Sequence, residues 1–449
     1  MSVSLELSAI PRAPGAIPLL GHTLKLMRGP LAFMRSLRES GEFVRVDIGT
    51  LPVCFATSPA LVHEVTVNKA RSFEKGRLFQ RVRPLVGNGL ATADGDTHRR
   101  HRRLMQPMFH RQQISGYVEV MGRHADALAE SWTPGQRVDV HREVTSLTIR
   151  TLAETLFSAE IGRQAVDTVS RELPVVMKNM LMRTASPQLL DGLPLWRSFD
   201  RATANMRSVI DRLVVQTRAA GPRDGRADLL SVLLEARDAD TGEALTDEEV
   251  RDELVTILFA GSETTASVLS WALHHLSLHP EIARAAAVEI EEVTGGEDVG
   301  FADVPRLSLI QRVLDESLRL HGVVLLMRRA LEPVEIGGYT LPAGTEVAFS
   351  LYALHRDPTI YSAPDVFDPD RWLPERRAEL PREAVVPFGS GNRKCIGDAF
   401  AWTQATVALA TILRRWRLGS VEGHTPREML AAMANPDRVL MTVHPRIDG

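Results

Sequence analysis

Phe388-Gly389-Ser390-Gly391-Asn392-Arg393-Lys394-Cys395-Ile396-Gly397 is the stretch on which the reading of this chain turns. Glycine at 389, 391 and 397 lets the backbone fold tightly and come close to a flat ring, which bulkier residues would prevent. Phe388 offers an aromatic face to such a ring. The run from Asp398 to Leu409 reads as a helix, so Cys395 falls beside an expected amino terminus, where unpaired N–H groups and the positive end of the dipole favour an anion. A thiol so placed is favoured as the thiolate, the form that ligates metals.

The spacing Phe-x-x-Gly-x-x-x-Cys-x-Gly resembles the haem-binding loop of the cytochrome P450 monooxygenases at every fixed position. The resemblance implies that Cys395 is the axial ligand of the iron of haem b, with Phe388, Gly389 and Gly397 lying against the macrocycle. A thiolate ligand pushes electron density onto the iron and favours O–O cleavage. The implied chemistry is activation of O2 as co-substrate.

A second segment runs from Thr246 to His279. Thr246-x-x-Glu249 is a capping box, and Val250, Leu254, Ile257 and Leu258 recur at helical spacing. In the middle of this long helix stands Ala260-Gly261-Ser262-Glu263-Thr264-Thr265. Glycine weakens a helix, and a threonine hydroxyl can bond back to the carbonyl four residues earlier, here from Thr264 to Ala260, so a local opening is expected. The segment is similar to the family's oxygen-binding groove. That implies an opening at Ala260 and Gly261, with Glu263 and Thr264 delivering protons.

Glu316 and Arg319 lie three apart on one helix face, and Phe367-Asp368-Pro369-Asp370-Arg371-Trp372 follows. The resemblance implies a buried structural cluster of Glu316, Arg319 and Arg371 that locks the cysteine loop. It also implies cationic partners for the two haem propionates: His98 and Arg102 in His98-Arg99-Arg100-His101-Arg102-Arg103, then Arg328 and Arg393. Many relatives carry Trp where this chain has His98.

The chain has 449 residues and a net charge of −3, and no linker, repeat or low-complexity stretch divides it. A nucleic-acid partner is not expected, because one basic hexamer in a slightly acidic chain is no footprint for one. The family implies one domain over 1–449, after a proline-rich segment 1–20, with a mainly α body and a smaller β-rich lobe (α+β; the cytochrome P450 fold). Strands are expected at Glu42–Ile48 and Val53–Thr57 around a turn at Gly49–Pro52, and again at Val334–Ile336 and Glu346–Ser350. Pro107, Pro174 and Pro280 are expected to start or break helices. Cys54, within an alternating strand, reads as a core residue, so no disulfide is expected and a cytoplasmic enzyme fits. The first 21 residues hold three prolines and no run of about 18 apolar residues, so no membrane anchor is expected.

The resemblance implies a monomer fed by a separate ferredoxin or flavodoxin with its reductase, with no flavin or nicotinamide bound to this chain. Arg99, Arg100, Arg103, Arg111 and Lys394 are candidates for a docking face. Positions matching the family's substrate-contacting regions are apolar: Leu78, Phe79, Leu85 and Val86; Met177, Met180 and Met182; Val323, Val324, Leu325 and Leu326; and Met433. Such walls suit a hydrophobic small molecule, whether terpene, steroid or fatty acyl compound, and the chain resembles the actinobacterial terpene oxygenases. Two rival readings keep the same ligand: a peroxide-driven peroxygenase, which typically lacks the Glu263-Thr264 pair, and a non-catalytic haem-binding sensor, which needs no proton-delivery groups.

Overall fold

The computed structural model describes residues 5–157, 159–185, 193–220, 228–238 and 240–446. They form two compact units, each assembled from three stretches of chain: 1–80, 315–395 and 428–435 in the first, and 81–314, 396–427 and 436–449 in the second. Because the units interleave, the chain passes between them repeatedly, and no linker marks a boundary.

The first unit is built on a five-stranded sheet. Its order is Phe43–Ile48, Leu51–Ala56, Glu346–Phe349, Leu326–Ala330 and Phe73–Lys75. The second and third strands run parallel, with Cys54 opposite Val347, and the other pairs are antiparallel. The first hairpin turns on Gly49 and Thr50 alone, not on the four residues expected, and Gly49 has φ +60°. Pro52 belongs to the second strand. It lies opposite Asp47, one residue before pairing to Glu346–Phe349 begins, so its missing N–H breaks no ladder on that side. Gly337 (φ +56°) and Gly338 (φ +81°) turn a second hairpin, from Val334–Ile336 into Tyr339–Leu341, a strand the sequence did not signal. Val44, Val46, Val53, Phe55 and Ala348 pack on one side of the large sheet, and Phe43, Cys54, Val347 and Phe349 on the other, as a period of two demands.

The second unit is mainly helical. Its longest element is the helix Asp247–Leu278, started as expected by Thr246: the Thr246 hydroxyl accepts the Glu249 N–H (3.2 Å), and Glu249 Oε2 accepts the Thr246 N–H (2.8 Å). Against it, antiparallel, lies Val140–Leu156, with His141 bonded to Ser270 and the Thr148 hydroxyl to Ser262 O. Pro280 opens the helix Pro280–Thr294. Pro174, by contrast, neither starts nor breaks one; it sits inside Ala159–Ala185, exposed, while Val169, Leu173 and Val176 bury the opposite face. Burial of that face outweighs the one backbone bond a proline forgoes. A small sheet of Trp416–Ser420, Leu440–Pro445 and Arg137–Asp139 completes the unit. Among the described residues no helix is long and apolar enough to cross a membrane.

Candidate active site

The cysteine loop in the first unit is shaped by two glycines. Gly389 and Gly391 have φ of +71° and +70°, a region L side chains avoid. At Gly391 there is also no room, since a Cβ would overlap the carbonyl of Thr66. The Thr66 hydroxyl meets Ser390 Oγ at 2.7 Å and fixes the same corner. The loop returns when Cys395 N–H donates to Phe388 O at 3.0 Å, and the helix Asp398–Arg415 starts three residues on. Cys395 ends up exposed. Cys54 is its opposite: fully buried among apolar side chains, with burial pushing its thiol pKa up to about 12.

The structure brings Glu316, Arg319 and Arg371 together. Arg319 Nε and Nη2 donate to the two Glu316 oxygens at 2.8 Å each, and Arg371 Nε reaches Oε1 at 3.3 Å. The other donors were not foreseen. Trp372 Nε1 donates to Oε2 (3.0 Å) and the Asp368 N–H to Oε1 (3.1 Å), so the carboxylate takes five bonds. Arg319 spends its remaining N–H groups on the carbonyls of His355, Pro364 and Val366, and Arg371 on those of Ser362 and Ala363. Tyr361 lies beneath both guanidinium groups, 5.3 and 5.9 Å from ring centre. A buried acid this fully bonded offsets its desolvation, and it ties the end of the helix Ser308–His321 to residues 355–372.

In the second unit, the helix Asp247–Leu278 is buried along most of its length from Val250 to Leu273 but opens at Ala260, which is exposed, and Gly261, Glu263 and Thr264, which are half-buried. Thr264 Oγ1 donates to Ala260 O at 2.8 Å, Thr265 to Gly261 O at 3.1 Å and Ser262 to Leu258 O at 2.6 Å. The backbone nevertheless stays helical throughout, so the expected opening is not a break in the helix. A carbonyl oxygen has two lone pairs, and the hydroxyl takes the second without displacing the backbone N–H. Gly261 is required by packing, since a Cβ would press Leu152 Cδ2 at 2.9 Å.

Residues 11–444 match the family model described as Cytochrome P450. The chain belongs to the cytochrome P450 family. It is similar to cyclooctatin synthase of Streptomyces melanosporofaciens, at 43% identity over 95% of this chain and 94% of that one. To the pentalenene oxygenase of Streptomyces avermitilis it is 38% identical, over 97% and 98% of the two chains. Among solved structures, the haem domain of cytochrome P450DA matches with a TM-score of 0.86 at 31% identity, covering 97% of this chain and 98% of that one.

The cytochrome P450 family implies haem and O2, and the residues present fit that group. The side-chain chemistry agrees with it: the glycine-shaped loop of the first unit carries an exposed thiol, and each unit carries side chains of the kind an anionic porphyrin needs, Arg328 and Arg393 in the first and His98 and Arg102 in the second. His98 is buried within Gly95–Met105 with Arg102 half-buried a turn later, whereas Arg328 is buried in the first unit's sheet and Arg393 half-buried in the cysteine loop.

The apolar positions separate into two kinds. Val324 and Met433 are fully buried and join the first unit's packing, where Val323 pairs with Met433 and Val324 N–H donates to Ala432 O. Val86 is buried too. Leu78, Phe79, Leu85, Met177, Met180, Val323, Leu325 and Leu326 keep partial exposure, and Met177 Sδ lies 4.0 Å from Ser262 Oγ. The Met182 side chain lies outside the described residues.

The basic hexamer mostly serves its own unit. Arg99 pairs with Asp96, Arg100 with Glu249 (2.8 Å), Arg103 with Asp238 (2.8 Å) and Asp240, while Arg111 stacks 5.4 Å from the Phe301 ring. Arg99, Arg100, Arg103 and Arg111 thus have partners within the chain. His101, not singled out in the sequence, is the most buried member of the hexamer.

Proposed function

We propose that this cytochrome P450 inserts one oxygen atom into a cyclic terpenoid, using haem ligated by Cys395 and electrons from a separate ferredoxin or flavodoxin system. The observation that carries the substrate class is the 38–43% identity, over almost the whole chain, to relatives whose names specify cyclooctatin synthesis, cyclooctat-9-en-7-ol 5-monooxygenation and pentalenene oxygenation. The half-exposed apolar side chains agree with it, since a lipophilic ligand needs such walls and few polar anchors.

When bound, thiolate-ligated haem supplies the activation and cleavage of O2. The rest falls to the chain. The Cys395 loop holds the sulfur where Gly389 and Gly391 aim it. The cluster around Glu316 keeps that part of the chain rigid. His98, Arg102, Arg328 and Arg393 bind the propionates. Thr264, bonded to Ala260 O, presents its oxygen as a proton acceptor from a Glu263-linked water chain and passes a proton on, while the lipophilic side chains orient substrate and exclude bulk water.

The test is to load the purified protein with haem, titrate it with pentalenene and with cyclooctat-9-en-7-ol, and reconstitute turnover with a ferredoxin and its reductase. The expected result is a low-spin to high-spin Soret shift with at least one compound and an oxygenated product. Spectral silence to both, together with binding of a fatty acid or steroid, would overturn the terpenoid reading.

A further inference from the structure

Two carboxylates on the long helix play no part in the chemistry above. Asp252 Oδ2 accepts the Asn88 N–H at 2.7 Å, and Glu253 Oε2 accepts the Leu90 N–H at 3.0 Å. Both bonds hold the turn that follows the helix Arg77–Val86. Its glycines are needed for so close an approach: a Cβ at Gly87 (φ +89°) would overlap the Asp252 carboxylate, and one at Gly89 would overlap Thr256 Oγ1. From within, the Thr92 hydroxyl donates to Gly87 O (2.7 Å) or Gly89 O (3.1 Å), and Arg83 donates to Thr92 O. Arg207 steadies the approach by donating to the carbonyls of Pro84 (3.2 Å) and Leu85 (3.0 Å).

Behind Glu253 stands His101. Glu253 is fully buried, and its second oxygen lies 2.6 Å from His101 Nδ1. His101 Nε2 lies 3.2 Å from Glu249 Oε1, which also takes Arg100 Nη1 at 2.8 Å. Asp252 is flanked by Arg251 at 3.3 Å. A buried acid is stable only when its lone pairs are so used, and these are used on a backbone turn.

Asp252, Thr256, Ala260 and Thr264 recur every four residues and therefore form one stripe of the helix. The turn at 87–90 covers its first two members. Cover stops at Ala260, which is exposed, and Thr264 follows. The turn thus ends where the segment assigned to oxygen chemistry begins, and Leu85 and Val86 immediately precede it.

We propose that Asp252 and Glu253, backed by His101, are positioning residues that latch residues 87–90 to the helix. By fixing the wall formed by Leu85 and Val86, they determine which lipophilic molecules fit. The proposal rests on the reading that Leu85 and Val86 line the substrate pocket.

It is tested on the haem-loaded enzyme with Asp252→Ala, Glu253→Gln and, reaching the same turn from its other side, Gly89→Ala. Two quantities are read: hydrogen exchange of the amides at 87–92, and the affinity of clotrimazole relative to imidazole, both of which ligate the iron whatever the natural substrate. Exchange should quicken about tenfold in each variant: Asp252→Ala removes a charge-assisted hydrogen bond, Glu253→Gln removes the charge that strengthens one, and Gly89→Ala pushes the turn off Thr256 and the Asp252 backbone. Clotrimazole should bind several-fold differently while imidazole affinity and the reduced-carbonyl spectrum stay the same. Unchanged exchange in all three overturns the latch. Faster exchange with an unchanged azole ratio overturns its role in selectivity. Neither outcome depends on the terpenoid titration, so the two readings fail separately.

Discussion

Arg319 grips Glu316 through two parallel hydrogen bonds of 2.8 Å, with neither side chain more than 1% exposed. Trp372 and Arg371 share the same carboxylate. Glu316→Ala would strand two buried guanidinium groups, so a loss of about 3–5 kcal/mol and failure to retain haem are expected. Trp372→Phe removes one neutral donor and should cost only about 1–2 kcal/mol with haem retained. Thermal unfolding and haem content per chain check both.

Gly389 and Gly391 share one backbone conformation but differ in surroundings. Gly389→Ala meets open space and should cost about 1–2 kcal/mol from strain alone. Gly391→Ala must also displace the Thr66 carbonyl, so it should be clearly worse and shift the carbonyl spectrum of the reduced protein. Equal effects in denaturant melts would show that the clash at Thr66 is relieved cheaply.

Thr264→Ala removes the hydroxyl that bonds Ala260 O. Substrate should still bind, while product formed per electron falls up to about a hundredfold and peroxide rises. Thr264→Ser should restore most of the coupling. A stoichiometric assay of reductant, peroxide and product decides this.

His355 is buried beside Arg319 and Arg356, and burial with those charges lowers its pKa to about 3. The folded protein keeps it neutral, whereas the unfolded chain protonates near its ordinary value of about 6.5. Stability from this site is therefore whole above pH ~6.5 and declines as pH falls towards 3, by at most about 1.4 kcal/mol per pH unit. His355→Phe, which keeps an aromatic beside Tyr361, should flatten that acid slope in urea melts at pH 7 and pH 5.

His101 acts in the other direction. Burial alone would lower its pKa, but the hydrogen bond and charge of Glu253, with Glu249, raise it. Its contribution is whole below pH ~6.5 and lost as pH rises through the raised folded value. His101→Gln should remove an alkaline loss of stability that the parent shows, read from melting temperature against pH.

Local signals were the legible ones. The Thr246–Glu249 cap, the Thr264 back-bond and the Glu316–Arg319 pair each lie within four residues, so spacing alone exposes them. The Gly49 hairpin was visible in outline, but its length depends on where a third strand joins. Trp372 drew no role from its own segment because its partner, Glu316, is 56 residues away. His101 was hidden inside a basic run, with its acid 152 residues distant. Pro174 misled because the packing of Leu173 and Val176 outweighs its local cost.

The account depends most on sulfur ligation by Cys395. The carbon monoxide adduct of the reduced, haem-loaded protein should absorb at the long wavelength diagnostic of a thiolate ligand, and Cys395→Ser should lose that band while Cys54→Ser keeps it. A parent protein whose adduct absorbs at the shorter wavelength of a histidine-ligated haem, or a Cys395→Ser variant that retains the long-wavelength band, would contradict it.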